Sequence, residues 1–218
     1  MHSRQKHISG FAFAIGVSVG LMLTGMGIGS KAATAAAPFG LRGTLELDGD
    51  STLHRFSART NEVRGVVYVD EEALPAQAVD VASLVRAGHV KLFDMTAPVE
   101  KLSSGDKSLD KNMWKALKSD QFKAIRFRAD GFELRPAGTR GALFGLAMRG
   151  TLTVAGVTRP LVIVADGFDV PGGTRIAGAT SLRMTDYAVK PPTLMLGAIK
   201  TADQVVVKFD MQLRTTTR

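Results

Sequence analysis

No cysteine occurs among the 218 residues, which excludes disulfides, thiolate metal sites and cysteine nucleophiles. Aromatic residues are scarce at 6%, with Trp114 the single tryptophan. Of four histidines, His2 and His7 fall in an N-terminal segment that reads as an export signal. His54 and His89 remain, and two histidines so far apart, without cysteines, do not make a zinc site by spacing. Past that segment there is no G-x-S-x-G elbow, no H-E-x-x-H and no phosphate-binding P-loop. Gly25, Gly27 and Gly29 imitate a glycine-rich loop but lie inside the signal. Acidic residues are also few where it matters, since none occurs in residues 1–35.

What is present is apolar and ordered in composition: 45% hydrophobic against 22% charged, which excludes a disordered or fibrous chain. The formal charge is +8, but Arg4, Lys6 and Lys31 belong to the signal. Removing them leaves 25 basic against 20 acidic residues, a net +5 spread too thinly for a nucleic-acid groove. Arg140, Arg149, Arg159, Arg175 and Arg183 are dispersed over several strands and read as solvated outer faces.

Two positive charges, an apolar run from Phe11 to Leu23 and the small residues Ala32-Ala33-Thr34-Ala35 follow the order of a Sec-type signal peptide. Ala33 and Ala35 supply the A-x-A pattern, so cleavage is expected after Ala35, giving a signal 1–35 and a mature domain 36–218. The rival is a retained anchor, because Gly10–Ser30 is uncharged and ~20 such residues span a bilayer. Six glycines in that run make it a poor long helix. The expected address is the periplasm of a Gram-negative cell, without a stable membrane anchor after cleavage.

From Gly43 onward apolar residues recur with period two, the pattern of strands with one buried face. Phe144, Leu146, Met148, Leu152 and Val154 alternate with Arg149, Thr151 and Thr153. Val205, Val207, Phe209, Met211 and Leu213 alternate with Lys208, Asp210 and Gln212, and Ile125 and Phe127 with Arg126 and Arg128. The expected strands are 43–48, 51–59, 63–70, 90–101, 123–135, 141–155, 158–169 and 174–187, with a further one at 203–214. Asp48-Gly49-Asp50, Ala155-Gly156 and Pro171-Gly172-Gly173 are the expected turns. Long strands joined by short turns point to an all-β antiparallel meander closed into a barrel, with a two-layer sandwich as the alternative.

One helix is expected to interrupt the strands, capped by Ser108, with Asp110 near its start and Lys115 and Lys118 near its end. Leu109, Met113, Ala116 and Leu117 form its apolar stripe, flanked by Trp114. Asp48, Asp50, Ser51 and His54 imitate a hydrolytic cluster. Read as turn residues and as strand residues three apart, they do not converge, so no enzyme is expected. Met184, Met195 and Met211 read as core more readily than as pliable walls of a lipid pocket.

Several segments then stand together: Ser51-Thr52-Leu53-His54, Asp110 to Lys118 followed by Ile125-Arg126-Phe127, Gly150 to Pro160, Met184-Thr185-Asp186-Tyr187 and Lys190-Pro191-Pro192-Thr193. Over Gly43 to Leu213 the chain resembles the YceI-like family of bacterial periplasmic proteins. The resemblance implies an extended, eight-stranded, lipocalin-like antiparallel barrel with a helix near the mouth. It also implies an elongated apolar lumen that holds a polyisoprenoid, such as an isoprenoid quinone or polyprenyl phosphate, with no other cofactor.

The functions to weigh are a carrier of an apolar small molecule, an envelope stress or assembly factor acting through the surface of a filled barrel, and an enzyme. The carrier is preferred. Phe127, Phe144, Val154, Val207 and Phe209 are expected to line the bound chain, with Met113 and Leu117 closing one end and Trp114 at the rim. Lys111 and Asn112 are the candidates for a head group, and relatives that dimerise leave a homodimer open.

Overall fold

The computed structural model describes residues 39–70, 80–194 and 199–214, so the expected signal 1–35 and Met195 lie outside the described residues. Eight long strands run in chain order: β1 (Phe39–Ser51), β2 (Phe56–Val69), β3 (Val90–Pro98), β4 (Ala124–Arg135), β5 (Phe144–Val154), β6 (Val157–Val170), β7 (Gly173–Arg183) and, after the two-residue β8 (Thr193–Leu194), β9 (Ile199–Arg214). Each pairs antiparallel with the next, and β1 also pairs with β9, so the sheet closes on itself. The fold is a barrel and the sandwich alternative is excluded. Closure removes the edges at which an open sheet would recruit another chain.

The first turn lies further along than expected. Asp48 and Gly49 sit within the ladder, opposite Ser57 and Phe56 on one side and Val206 and Val205 on the other. Asp48 holds there because Lys208, across the outer face, meets its carboxylate at 2.5 Å and that of Glu46 at 3.1 Å. The chain reverses at Ser51–His54 instead. There the Ser51 hydroxyl donates to the His54 carbonyl (2.7 Å) and accepts from the His54 N–H (3.2 Å). The later turns lie where expected. Ala155 and Gly156 both take positive φ (49° and 82°), the two-residue turn whose twist matches a right-handed hairpin.

Bulges in β2, β3 and β4 reset the alternation. β2 carries one residue more than β1 between Thr60 and Val63, so both are buried although three apart. β4 carries one more than β5 between Ala129 and Gly131, which moves its inward face from Phe127 and Ala129 to Phe132 and Leu134. Such insertions deepen the local twist that a closed sheet requires.

Two helices cover the barrel, one more than the periodicity predicts. The short α1 (Val81–Arg86) was hidden because only Val81, Leu84 and Val85 carry its apolar face; all three are buried. Asp80 caps it through the Ser83 N–H. The expected helix is α2 (Lys107–Ala116), but its cap is Asp106 rather than Ser108. The Asp106 carboxylate accepts from the backbone N–H groups of Ser108 (2.7 Å) and Leu109 (3.0 Å), leaving Ser108 inside the first turn. Among the described residues no helix is long and apolar enough to cross a membrane.

α2 is tied to the loop before it. Asp110, 6% exposed, accepts from the hydroxyls of Ser103 (2.6 Å) and Ser104 (2.7 Å) and from the Ser104 N–H (2.6 Å). Burial alone would raise its carboxyl, but these donors win and hold it below the usual carboxylate range. The Trp114 indole N–H adds a bond to the Leu102 carbonyl (2.9 Å).

Candidate functional site: an apolar cavity beneath α2

The even residues of β5 behave as their alternation requires. Leu146, Met148, Leu152 and Val154 are buried and Phe144 half-buried, while Arg149 and Thr151 are exposed. The inward faces of the strands do not fill the lumen evenly. Beneath α2 they leave a cavity of about 180 Å³ whose walls are almost wholly apolar. Leu45 and Leu47 of β1, Phe127 of β4, Leu152 and Val154 of β5, Leu161 and Ile163 of β6, and Val205, Val207 and Phe209 of β9 form the sides. Leu109, Met113, Ala116 and Leu117 of the helix stripe form the roof. A short helical turn, Met184–Tyr187, and Val189 complete it.

The opposite end is packed. Phe39, Val67, Phe93, Phe132, Leu146, Met148 and Leu213 meet Val81 and Leu84 of α1 around a residual space of only about 20 Å³. Between the two lies a waist lining neither space: Leu41, Val63, Ala129, Ala165 and Met211, each at most 2% exposed. The rings of Phe93 and Phe127, 6.1 Å apart and tilted by 60°, meet across this boundary, one on each side.

The geometry brings together most of the residues named from sequence. Phe127, Val154, Val207, Phe209, Met113 and Leu117 line one cavity, and Asn112 stands half-buried at its margin. Three others lie elsewhere. Phe144 is at the packed end, its ring against Gly167, where a Cβ would collide with it. Trp114 packs beside the core and spends its indole N–H on Leu102. Lys111 is exposed and off the cavity.

Met184 and Tyr187 were missed as wall residues, although their segment was one of those carrying the resemblance. Tyr187 is 5% exposed, and burial, with Asp186 beside it, pushes its phenol above the usual value. Met211 is core, as expected, whereas Met184 lines the cavity.

Besides Tyr187, the polar residues that line the cavity are Ser51, His54, Asn112, Thr180, Arg183 and Thr201, each half-buried or exposed. The Ser51 hydroxyl is committed to the backbone of His54, as a turn-forming serine. His89, at the packed end, pairs through Nδ1 with Asp70 (3.1 Å), whose carboxyl is held low first by Lys91 and then by this histidine. Among the described residues no three potential ligands gather to hold a metal ion. What the cavity offers is apolar contact and exclusion of water.

A closed antiparallel barrel with one helix-roofed apolar cavity defines a lipocalin-like architecture. The YceI-like domain matches residues 34–213, and the chain belongs to the YceI-like family. Solved structures of the same fold include BcnA from Burkholderia cenocepacia, 13% identical over 78% of this chain and 95% of that one, with a TM-score of 0.57. A polyisoprenoid binding domain from Saccharophagus degradans, implicated in plant cell wall breakdown, is 11% identical over 82% and 98%, with a TM-score of 0.56. At these identities the likeness concerns the fold. Among curated proteins none matches the chain.

Proposed function

We propose that this protein is a periplasmic, non-enzymatic carrier that holds an apolar chain, a polyisoprenoid or an isoprenoid quinone, in the cavity beneath α2. The observation that carries the reading is the contrast within one lumen: about 180 Å³ left open under α2 against about 20 Å³ under α1. Leaving such a volume unfilled forgoes packing contacts, a cost that a bound chain offsets at ~25 cal/mol per Å² of apolar surface removed from water. The polyisoprenoid-binding relative supports the same reading. Phe127, Val154, Val207 and Phe209 are the proposed walls, and Met113 and Leu117 the roof.

The test is native mass spectrometry of gently purified protein, followed by uptake of an isoprenoid quinone in solution. Bound lipid or saturable uptake is expected. In Val154→Arg, shown folded by circular dichroism, retention should be lost, because an unpaired charge in an apolar lumen is costly. Wild-type protein that carries no lipid and takes up no quinone overturns the reading, and the factor acting through its outer surface replaces it. Export is tested separately: the mature chain should begin within two residues of Ala36, and a chain starting at Met1 in the membrane fraction overturns the periplasmic address.

A further inference from the structure

The ladders that close the barrel are not equally complete. β5 and β6 are paired from Phe144↔Gly167 to Val154↔Val157, and β7 and β9 from Thr174↔Leu213 to Arg183↔Gln204. β6 and β7 are paired only from Val170↔Gly173 to Ala165↔Gly178. Beyond that rung both strands continue, over 157–164 and 179–183, without pairing to each other. These are not frayed ends, because each is held in register by its other neighbour. The two sides meet again where Arg159 Nε donates to the Asp186 carbonyl (3.0 Å). Between the last rung and this bond runs a seam about five residues long, or ~16 Å.

The seam gives directly onto the cavity, since Leu161 and Ile163 on one lip and Thr180 and Leu182 on the other are among its walls. Its outer side is apolar too. Val162 and Val164 are 53% and 52% exposed, two of the four large apolar residues that stand exposed among those described. Ala179 and Ser181 are exposed on the facing lip, and Arg183, at its end, is paired with Asp203 (3.3 Å). Pro160 fits here because a proline, lacking an N–H, suits a strand with one side free of a ladder. With the charged Arg159 it also blunts this local edge against addition of another strand.

We infer that apolar cargo enters and leaves the cavity sideways, through the seam between β6 and β7, while α2 stays seated. This rests on the carrier reading and adds the route. Lifting α2 would break the bonds of Asp110 to Ser103 and Ser104 and of Trp114 to Leu102, and would expose Leu117. Parting the lips of the seam breaks no ladder bond. A chain sliding between them passes from Val162 and Val164 to Leu161 and Ile163 without crossing an unpaired charge.

The experiment follows uptake and release of a geranyl-tailed ubiquinone by stopped flow, with quenching of Trp114, the single tryptophan, as the signal. The chain has no cysteine, so the pair Val162→Cys and Ser181→Cys can be bridged across the seam by a short bis-maleimide. The bridge should slow uptake and release together, on the order of tenfold, with the amount bound at equilibrium unchanged. The same variant capped with N-ethylmaleimide should keep wild-type rates. So should a bridge between Arg149→Cys and Val162→Cys, which are partners in the intact β5–β6 ladder. Val162→Asp with Val164→Asp, changes confined to exposed positions, should also slow both rates by charging the lip. Wild-type rates in the seam-bridged protein, or equal slowing by the β5–β6 bridge, overturn the inference and leave the carrier reading standing. If the unmodified protein takes up no quinone, the carrier reading itself falls and this inference with it.

Discussion

The two ends of the barrel are made by the same eight strands and differ in how their covering helix is seated. α1 drives Val81, Leu84 and Val85 into the lumen until all three are buried among Phe39, Phe93, Phe132 and Leu213. α2 seats Leu117 but leaves Leu109, Met113 and Ala116 half-buried, facing the void they roof. Part of the reason lies in how each helix is tied. α2 is held to its own flanking loop by Asp110 and Trp114, which fixes its height above the strands without requiring its stripe to fill the space below. A barrel end can thus be closed without being filled.

If the packed end is a true core, truncating it should cost most. Phe93→Ala is expected to destabilise by about 3–5 kcal/mol, whereas Leu161→Ala, whose side chain already borders open space, should cost well under half of that. Denaturant unfolding of the two variants measures the difference. Equal losses would mean that the cavity end is as tightly packed as the other.

The tether of α2 comes next. Asp110→Asn should cost on the order of 1–3 kcal/mol, because it removes the charge that three donors converge on. The pH dependence follows from the lowered carboxyl. Asp110 stays ionised in the fold at pH values where the unfolded chain would take up a proton, so its contribution is complete above the ordinary carboxylate range. It fades as pH falls through the lowered folded value. Acid titration of stability should therefore be shallower in Asp110→Asn than in wild type, and identical titrations would show that the loop does not depend on this carboxylate.

The smallest expected effect is the most discriminating. Val154→Phe adds volume beside the cavity and should change stability by less than about 1 kcal/mol, while Val67→Phe at the packed end should cost about 1–3 kcal/mol. Thermal melts of the pair report it. Val154→Phe should also lower the uptake of an apolar ligand, which Val67→Phe should leave unchanged if it folds.

Much of this was legible in the residues. The alternation of Leu146, Met148, Leu152 and Val154 with Arg149 and Thr151 specifies both a strand and its buried face, because side chains leave a strand on opposite sides in turn. The stripe Leu109, Met113, Ala116 and Leu117 likewise specified the roof of the cavity. Period two, however, only assigns a face. Phe144 has the same parity as Val154 but stands at the other end of its strand, near Gly167, and so lies away from the cavity. Asp48 and Asp50 have the composition of a turn, yet Asp48 is held in the ladder by Lys208, 160 residues later. Short α1 offered too few turns for its periodicity to register.

The sequence by itself determined most of the strands, the inward faces of β5 and β9, the antiparallel meander and the apolar underside of α2, since each of these is set by local order and by the separation of apolar from polar side chains. Which end of the lumen is filled was decided only by tertiary structure. Bulges shift the parity of β2, β3 and β4, and closure of β1 on β9 sets opposite one another residues far apart in the chain. Whether their side chains meet depends on the summed reach of groups from non-adjacent strands and on the height of a helix held by Asp110. Neither quantity is written in any single stretch of the chain.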